Sequence, residues 1–141
     1  MPADAKIIAG FSLALSLWGT AALAQDKAIS IELNDAVNIE NACRLVFVAM
    51  IQSGLVLEKT SYDVVTFDGS GKVGRSLTFQ FGRLPVGKTK VVQFDLPGQA
   101  CDGISRLLVN DVAECTVDGK SSDLCIDTLK TTTRTNIQFG S

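Results

Sequence analysis

The chain has 141 residues, 46% of them hydrophobic, and its 13 basic and 15 acidic side chains give a formal net charge of −2. This length predicts a single domain, and the near-neutral charge argues against general nucleic-acid binding, which needs a basic surface. The absence of histidine excludes serine–histidine–aspartate and cysteine–histidine catalysis and zinc sites built on imidazole.

The first 24 residues have the organisation of a secretory signal peptide. Lys6 precedes an apolar run over residues 7–18, and small residues follow at Ala22 and Ala24. This order predicts cleavage before Gln25 and a periplasmic or secreted protein whose mature chain has no membrane span. A retained membrane anchor is the alternative, although the run is shorter than the about 20 residues of a spanning helix.

Four cysteines in an exported chain predict two disulfides. We expect Cys115 to pair with Cys125 across a short polar loop, which leaves Cys43 to pair with Cys101. The chain entropy removed from the unfolded state is worth about 3 kcal/mol for the short loop and about 4 kcal/mol for the long one. The alternatives are a four-thiolate zinc site and thiol redox chemistry, but no cysteine pair has the C-x-x-C spacing typical of either.

Short apolar segments separated by glycine and proline turns predict β-strands along the rest of the chain. The predicted strands are residues 28–33, 43–51, 61–68, 73–81, 88–96, 104–111 and 130–139. Residues 34–42 and 52–60 are expected to be loops, and residues 122–129 to contain one helical turn capped by Ser122 or Asp123. Seven strands with little helix predict an all-β fold, with residues 25–141 forming one antiparallel immunoglobulin-like β-sandwich. A small β-barrel is the alternative.

One predicted strand has an ambiguous orientation. In residues 88–96, Val92, Phe94 and Leu96 share one face, but Val91 competes with them for the interior. A β-bulge, which inserts one extra residue into a strand, would reconcile the two patterns. We therefore expect a bulge in this strand.

The central block of the chain resembles a known family of envelope domains. An apolar strand at residues 45–48 is followed by VVTFDGSGKV at residues 64–73 and LPVGKTKVVQF at residues 84–94. This order resembles the secreted FxLYD-type immunoglobulin-like domains of bacterial envelope proteins, in which V-x-F-x-D-x-x-G-x-V precedes L-x-P-G-x-x-x-x-F. With its four cysteines, the chain is also similar to small exported proteins of Gram-negative bacteria. These resemblances imply an extracytoplasmic sandwich that packs against another envelope component, and they bring no catalytic residues.

No motif predicts catalysis, a metal site or a cofactor. Gly119, Lys120 and Ser121 resemble the end of a phosphate-binding loop, but Glu114 stands where that motif requires its first glycine. The glycine-rich segment after Asp68 lacks the further carboxylates of a calcium loop and is better explained as a hairpin turn. We therefore expect a non-catalytic protein without a cofactor.

The charge distribution is asymmetric along the chain. Between residues 69 and 94 there are five basic residues and no acidic one: Lys72, Arg75, Arg83, Lys88 and Lys90. Between residues 111 and 127 there are five acidic residues and only Lys120 as a base: Asp111, Glu114, Asp118, Asp123 and Asp127. Solvated edge charges that discourage aggregation are one explanation. The functional interpretation is a bipolar surface whose basic hairpin binds an anionic polymer, lipid headgroups or an acidic protein.

The sequence thus favours a non-catalytic periplasmic or secreted binding or accessory module. Its partner would be an envelope protein or an anionic surface component, engaged through an exposed strand edge or the basic residues. The alternative is a protein that holds a small apolar or anionic ligand between the sheets or at a loop end. A thiol redox or metal-binding factor is the least favoured hypothesis, and no nucleic-acid partner is expected.

Overall fold

The computed structural model, which describes residues 29–52 and 54–141 together with Gly10 and Gly19, is an all-β sandwich of two sheets, as predicted. The predicted cleavage residues Ala22, Ala24 and Gln25 lie outside the described residues, as does the signal peptide apart from those two glycines. The described strands form two separate sheets rather than the closed barrel that was the alternative.

The described strands number nine. In chain order they are β1 (Ile29–Ile39), β2 (Ala42–Ile51), β3 (Lys59–Phe67), β4 (Val73–Gln80), β5 (Thr89–Pro97), β6 (Arg106–Val117), β7 (Lys120–Ser121), β8 (Leu129–Thr133) and β9 (Gln138–Gly140). The first sheet has the order β5-β2-β1-β8, and the second has the order β4-β3-β6-β7 with β9 paired to the start of β6. Most pairings are antiparallel, but β1–β8 and β6–β9 are parallel.

Aromatic rings fill the space between the two sheets. The ring of Phe47 on β2 lies 5.4–5.8 Å, centroid to centroid, from the rings of Phe79, Phe81, Phe94 and Phe139. These residues come from both sheets, so the cluster ties the layers together. Aromatic pairs in such geometries contribute about 0.5–1.5 kcal/mol each beyond the burial of their area.

Both disulfides are formed in the pairing favoured from the sequence. Cys43 on β2 is joined to Cys101 in a 3-10 turn, and Cys115 on β6 is joined to Cys125 in the short helix α1 (Leu124–Asp127). The buried hydroxyl of Tyr62 donates a hydrogen bond of 2.8 Å to the carbonyl of Cys125. Helix α1 is therefore held to the second sheet by one covalent and one polar contact.

The prediction that residues 34–42 form a loop is wrong. Strand β1 continues to Ile39 through a bulge between Leu33 and Asp35, and only Glu40 and Asn41 form the turn to β2. The bulge shifts the alternation of inward and outward side chains, so the second half of the strand does not continue the period-two pattern of the first half.

The bulge expected in β5 is also absent. This strand pairs with β2 from Thr89 to Pro97 without a shift in register. Val92, Phe94 and Leu96 point inward, whereas Val91 is 59% exposed on the outer face. The competing valine therefore lies in solvent, and no extra residue is needed to place it there.

The strand predicted at residues 130–139 is divided into β8 and β9, which belong to different sheets. Between them, the hydroxyl of Thr133 accepts the amide of Thr135, and the hydroxyl of Thr135 accepts the amide of Ile137. Hydroxyl side chains compete in this way with strand pairing for backbone groups. The threonines that predicted one continuous strand therefore also supply the hydroxyl groups that interrupt it.

Candidate functional site

The charge asymmetry of the sequence corresponds to two opposite sides of the sandwich. β4 and β5 are the edge strands of their sheets on one side, where the rings of Phe79 and Phe94 stack at 4.4 Å. We call this the basic side; it carries Lys72, Arg75, Arg83, Lys88 and Lys90. β6, its turn to β7 and α1 lie at the other edge of the second sheet. We call this the acidic side; it carries Asp111, Glu114, Asp118, Asp123 and Asp127.

Two of the five basic residues have an internal structural role. Arg75 on β4 donates from Nη1 to the carbonyl of Pro97 on β5 at 2.9 Å. Lys90 on β5 donates from Nζ to the carbonyls of Phe81 and Arg83, at 2.6 and 3.1 Å. These contacts connect the edge strands of the two sheets. The positive charges of Arg75 and Lys90 are therefore bound to backbone carbonyls of the protein itself.

The other three basic side chains are exposed to solvent. In the part of the chain that the structure describes, no carboxylate lies within ion-pair distance of Lys72, Arg83 or Lys88. Lys72 lies in the turn before β4, and Arg83 and Lys88 lie in the loop after it. A strand of this length spans about 27 Å, so the cations mark both ends of the basic side. The loop that holds two of them also exposes the side chain of Val86, at 42%.

The acidic residues near this side are bound by local groups. Asp68 accepts hydrogen bonds from the Ser70 hydroxyl and from the amides of Ser70 and Lys72, and the hydroxyl contributes most to lowering the pKa of its carboxyl. Asp95 binds Arg44 on β2 through two hydrogen bonds of 2.8 and 3.0 Å, which lower its pKa. The nearby carboxylates are therefore bound elsewhere and do not form ion pairs with the exposed cations of the basic side.

A groove of about 540 Å³ lies at one end of the sandwich, lined in part by Asp35, Asp102 and Arg134. Arg134 also donates from Nε to Glu32 at 3.1 Å. Because aromatic rings occupy the space between the sheets, a small ligand would have to bind in a surface groove such as this one. The charged side chains that line the groove are of both signs, so they do not indicate one class of ligand.

The described residues contain no group of three or more histidine, cysteine, aspartate or glutamate side chains placed to hold a metal ion. Among their helices, none is both long and apolar enough to cross a membrane.

Comparison with known proteins relates this chain to one solved structure through its fold. No protein-family model and no curated protein sequence matches the chain. The structure of IrmA from Escherichia coli is similar, with a TM-score of 0.55 and 12% sequence identity, over 74% of this chain and 90% of that one. At this identity the likeness concerns the fold alone, and it assigns no site.

Proposed function

We propose that this chain is a non-catalytic binding module of the periplasm or the extracellular medium, and that its basic side engages an anionic partner. Arg83 and Lys88 are the main contacts, and Lys72 is a third at the opposite end of β4. The observation that carries the proposal is that these three cations are exposed and unpaired within the described residues, on the side opposite a row of carboxylates.

The separation of charge supports an electrostatic mode of binding. Exposed charges at the rim of an interface accelerate association and select the sign of the partner more than they raise affinity. Each exposed pair adds about 0.2–1 kcal/mol, and the contribution is screened by salt. The partner is thus an anionic surface component or an acidic patch on an envelope protein, in keeping with the resemblance to envelope domains. The two disulfides support an oxidising compartment.

Charge reversal tests this proposal. The double variant Arg83→Glu with Lys88→Glu is compared with Lys59→Glu with Lys120→Glu, which changes the net charge equally but lies beside the acidic side. Binding of the mature protein to immobilised polyglutamate and to vesicles of anionic phospholipid is measured at low and physiological salt. We expect the first variant to bind about tenfold more weakly and the second to bind like wild type. Equal losses in both variants would show that only net charge matters and would contradict a defined basic surface.

A further inference from the structure

The acidic side contains an open strand edge that the proposed function does not use. We propose that the free stretch of β6 is a second docking site, which takes an extended cationic segment of a partner protein as an added strand. This surface lies opposite the basic side, so either proposal can fail without the other.

Strand β6 is paired along most of one side and only at its two ends on the other. β3 pairs with it from Arg106 to Thr116, with two register shifts that leave Asn110 and Ala113 without a partner residue. On the far side, β9 pairs with residues 106–108, and β7 with residues 116 and 117. The carbonyl of Cys115 accepts the amide of Ser122 and extends the β7 pairing by one bond. Among the described residues, no strand pairs with the far side of β6 between positions 109 and 114. An unpaired edge of this kind is a template for an added strand.

A groove of about 440 Å³ runs along the same part of β6 and offers more than backbone. Its lining includes the carboxylates of Asp111, Glu114 and Asp123, and Lys59 as a basic residue. Ile126 of α1 also lines it and is 40% exposed. The groove thus combines an apolar contact with an excess of negative charge beside the open edge.

These features specify the occupant. Successive side chains of an added strand point to opposite faces, so a segment in which basic and apolar residues alternate has a basic face for the carboxylates and an apolar face for Ile126. Because of its two bulges, the open stretch of six residues opposes only four residues of β3, so it is about 13 Å long, and it is closed at its ends by β9 and β7. A second copy pairing through the same edge would bring Asp111 and Glu114 of both copies together, and like charges on paired strands are destabilising. The occupant is therefore a cationic segment of another protein.

A synthetic peptide provides the test. The probe alternates lysine with valine over the length of the open stretch, and it is added to isotope-labelled mature protein. We expect the peptide to bind and to protect from hydrogen exchange those amides of residues 109–114 that do not already bond to β3. The same peptide with glutamate in place of lysine should not bind. A version methylated on the backbone nitrogens that face the edge should bind at least tenfold more weakly, because strand addition requires those hydrogen bonds.

Matched variants locate the charge. Asp111→Asn with Glu114→Gln should weaken binding of the lysine peptide about threefold to tenfold. The asparagine retains an oxygen acceptor for the amide of Val112, which Asp111 binds at 2.8 Å. Glu40→Gln with Asp102→Asn makes the same change of charge outside the groove and should leave binding unchanged.

Several results would overturn the proposal. They are failure of the lysine peptide to bind, equal binding of the methylated peptide, and protection of amides elsewhere in the chain. Protection of residues 109–114 that rises with protein concentration alone would show that a second copy occupies the edge, and it would likewise overturn the proposal.

Discussion

Replacing Lys90 with methionine tests whether this cation stabilises the fold through its hydrogen bonds to the backbone. The Lys90 ammonium donates to the carbonyls of Phe81 and Arg83, where the chain leaves β4. Hydrogen bonds to charged groups contribute about 1.5–3 kcal/mol, but Lys90 is only half-buried, so water replaces part of what is lost. Methionine keeps most of the aliphatic stem and its packing. We therefore expect Lys90→Met to lower the free energy of unfolding by about 1–2 kcal/mol.

The variant Lys88→Met is the matched control. It removes the same charge two residues earlier, where the side chain is exposed, and it should change stability by less than about 0.5 kcal/mol. Urea unfolding followed by circular dichroism measures both variants. In thermal unfolding, the expected loss for Lys90→Met corresponds to a midpoint lower by roughly 4–8 °C. Equal stability of the two variants would refute the argument that Lys90 holds the edge of the sandwich together.

Two further predictions concern the interior. Burial raises the pKa of Tyr62, the only tyrosine, above its ordinary value of 10.0. Burying the neutral hydroxyl therefore costs no stability below pH 10, but the folded state loses stability relative to the unfolded state as the pH rises beyond 10. Tyrosinate absorbance should therefore appear only together with alkaline unfolding, and ionisation of the folded protein near pH 10 would contradict the buried hydroxyl. Removing a disulfide by paired alanine substitution should cost about 3 kcal/mol for Cys115–Cys125 and about 4 kcal/mol for Cys43–Cys101, because their loops span 10 and 58 residues. Urea unfolding of the two double variants measures these losses, and the reverse order would indicate that residual structure in the unfolded chain outweighs loop length.

Local composition was sufficient to predict the sandwich, because its inward positions are apolar in most strands. Leu45 and Phe47 of β2 are fully buried, as the apolar run around them predicted. In the same run, Val46 and Val48 are half-buried on the outer face of the first sheet. Composition cannot distinguish a strand covered on both faces from one whose outer face carries aliphatic side chains.

The sequence could not predict which basic residues bind the protein's own backbone and which are free to bind a partner. Arg75 and Lys90 lie on edge strands and reach carbonyls on or beside the opposite edge strand, whereas Lys88 lies exposed in the loop before β5. That depends on how β4 and β5 meet across the sandwich, which is a long-range property of the fold. The open edge of β6 was missed for a related reason: the strand was predicted to end at Asp111, before the part that lines the groove.

The proposed location depends on processing, which the natural protein can report directly. Trp18, the only tryptophan, lies within the predicted signal peptide. Cleavage before Gln25 therefore predicts a mature protein without tryptophan fluorescence, whose absorbance at 280 nm comes almost entirely from Tyr62. Intact mass measured with and without reductant, after alkylation, tests cleavage and the two disulfides on one sample. Uncleaved protein with four alkylatable cysteines would contradict export, because reduced thiols at these positions require a compartment in which neither predicted disulfide persists.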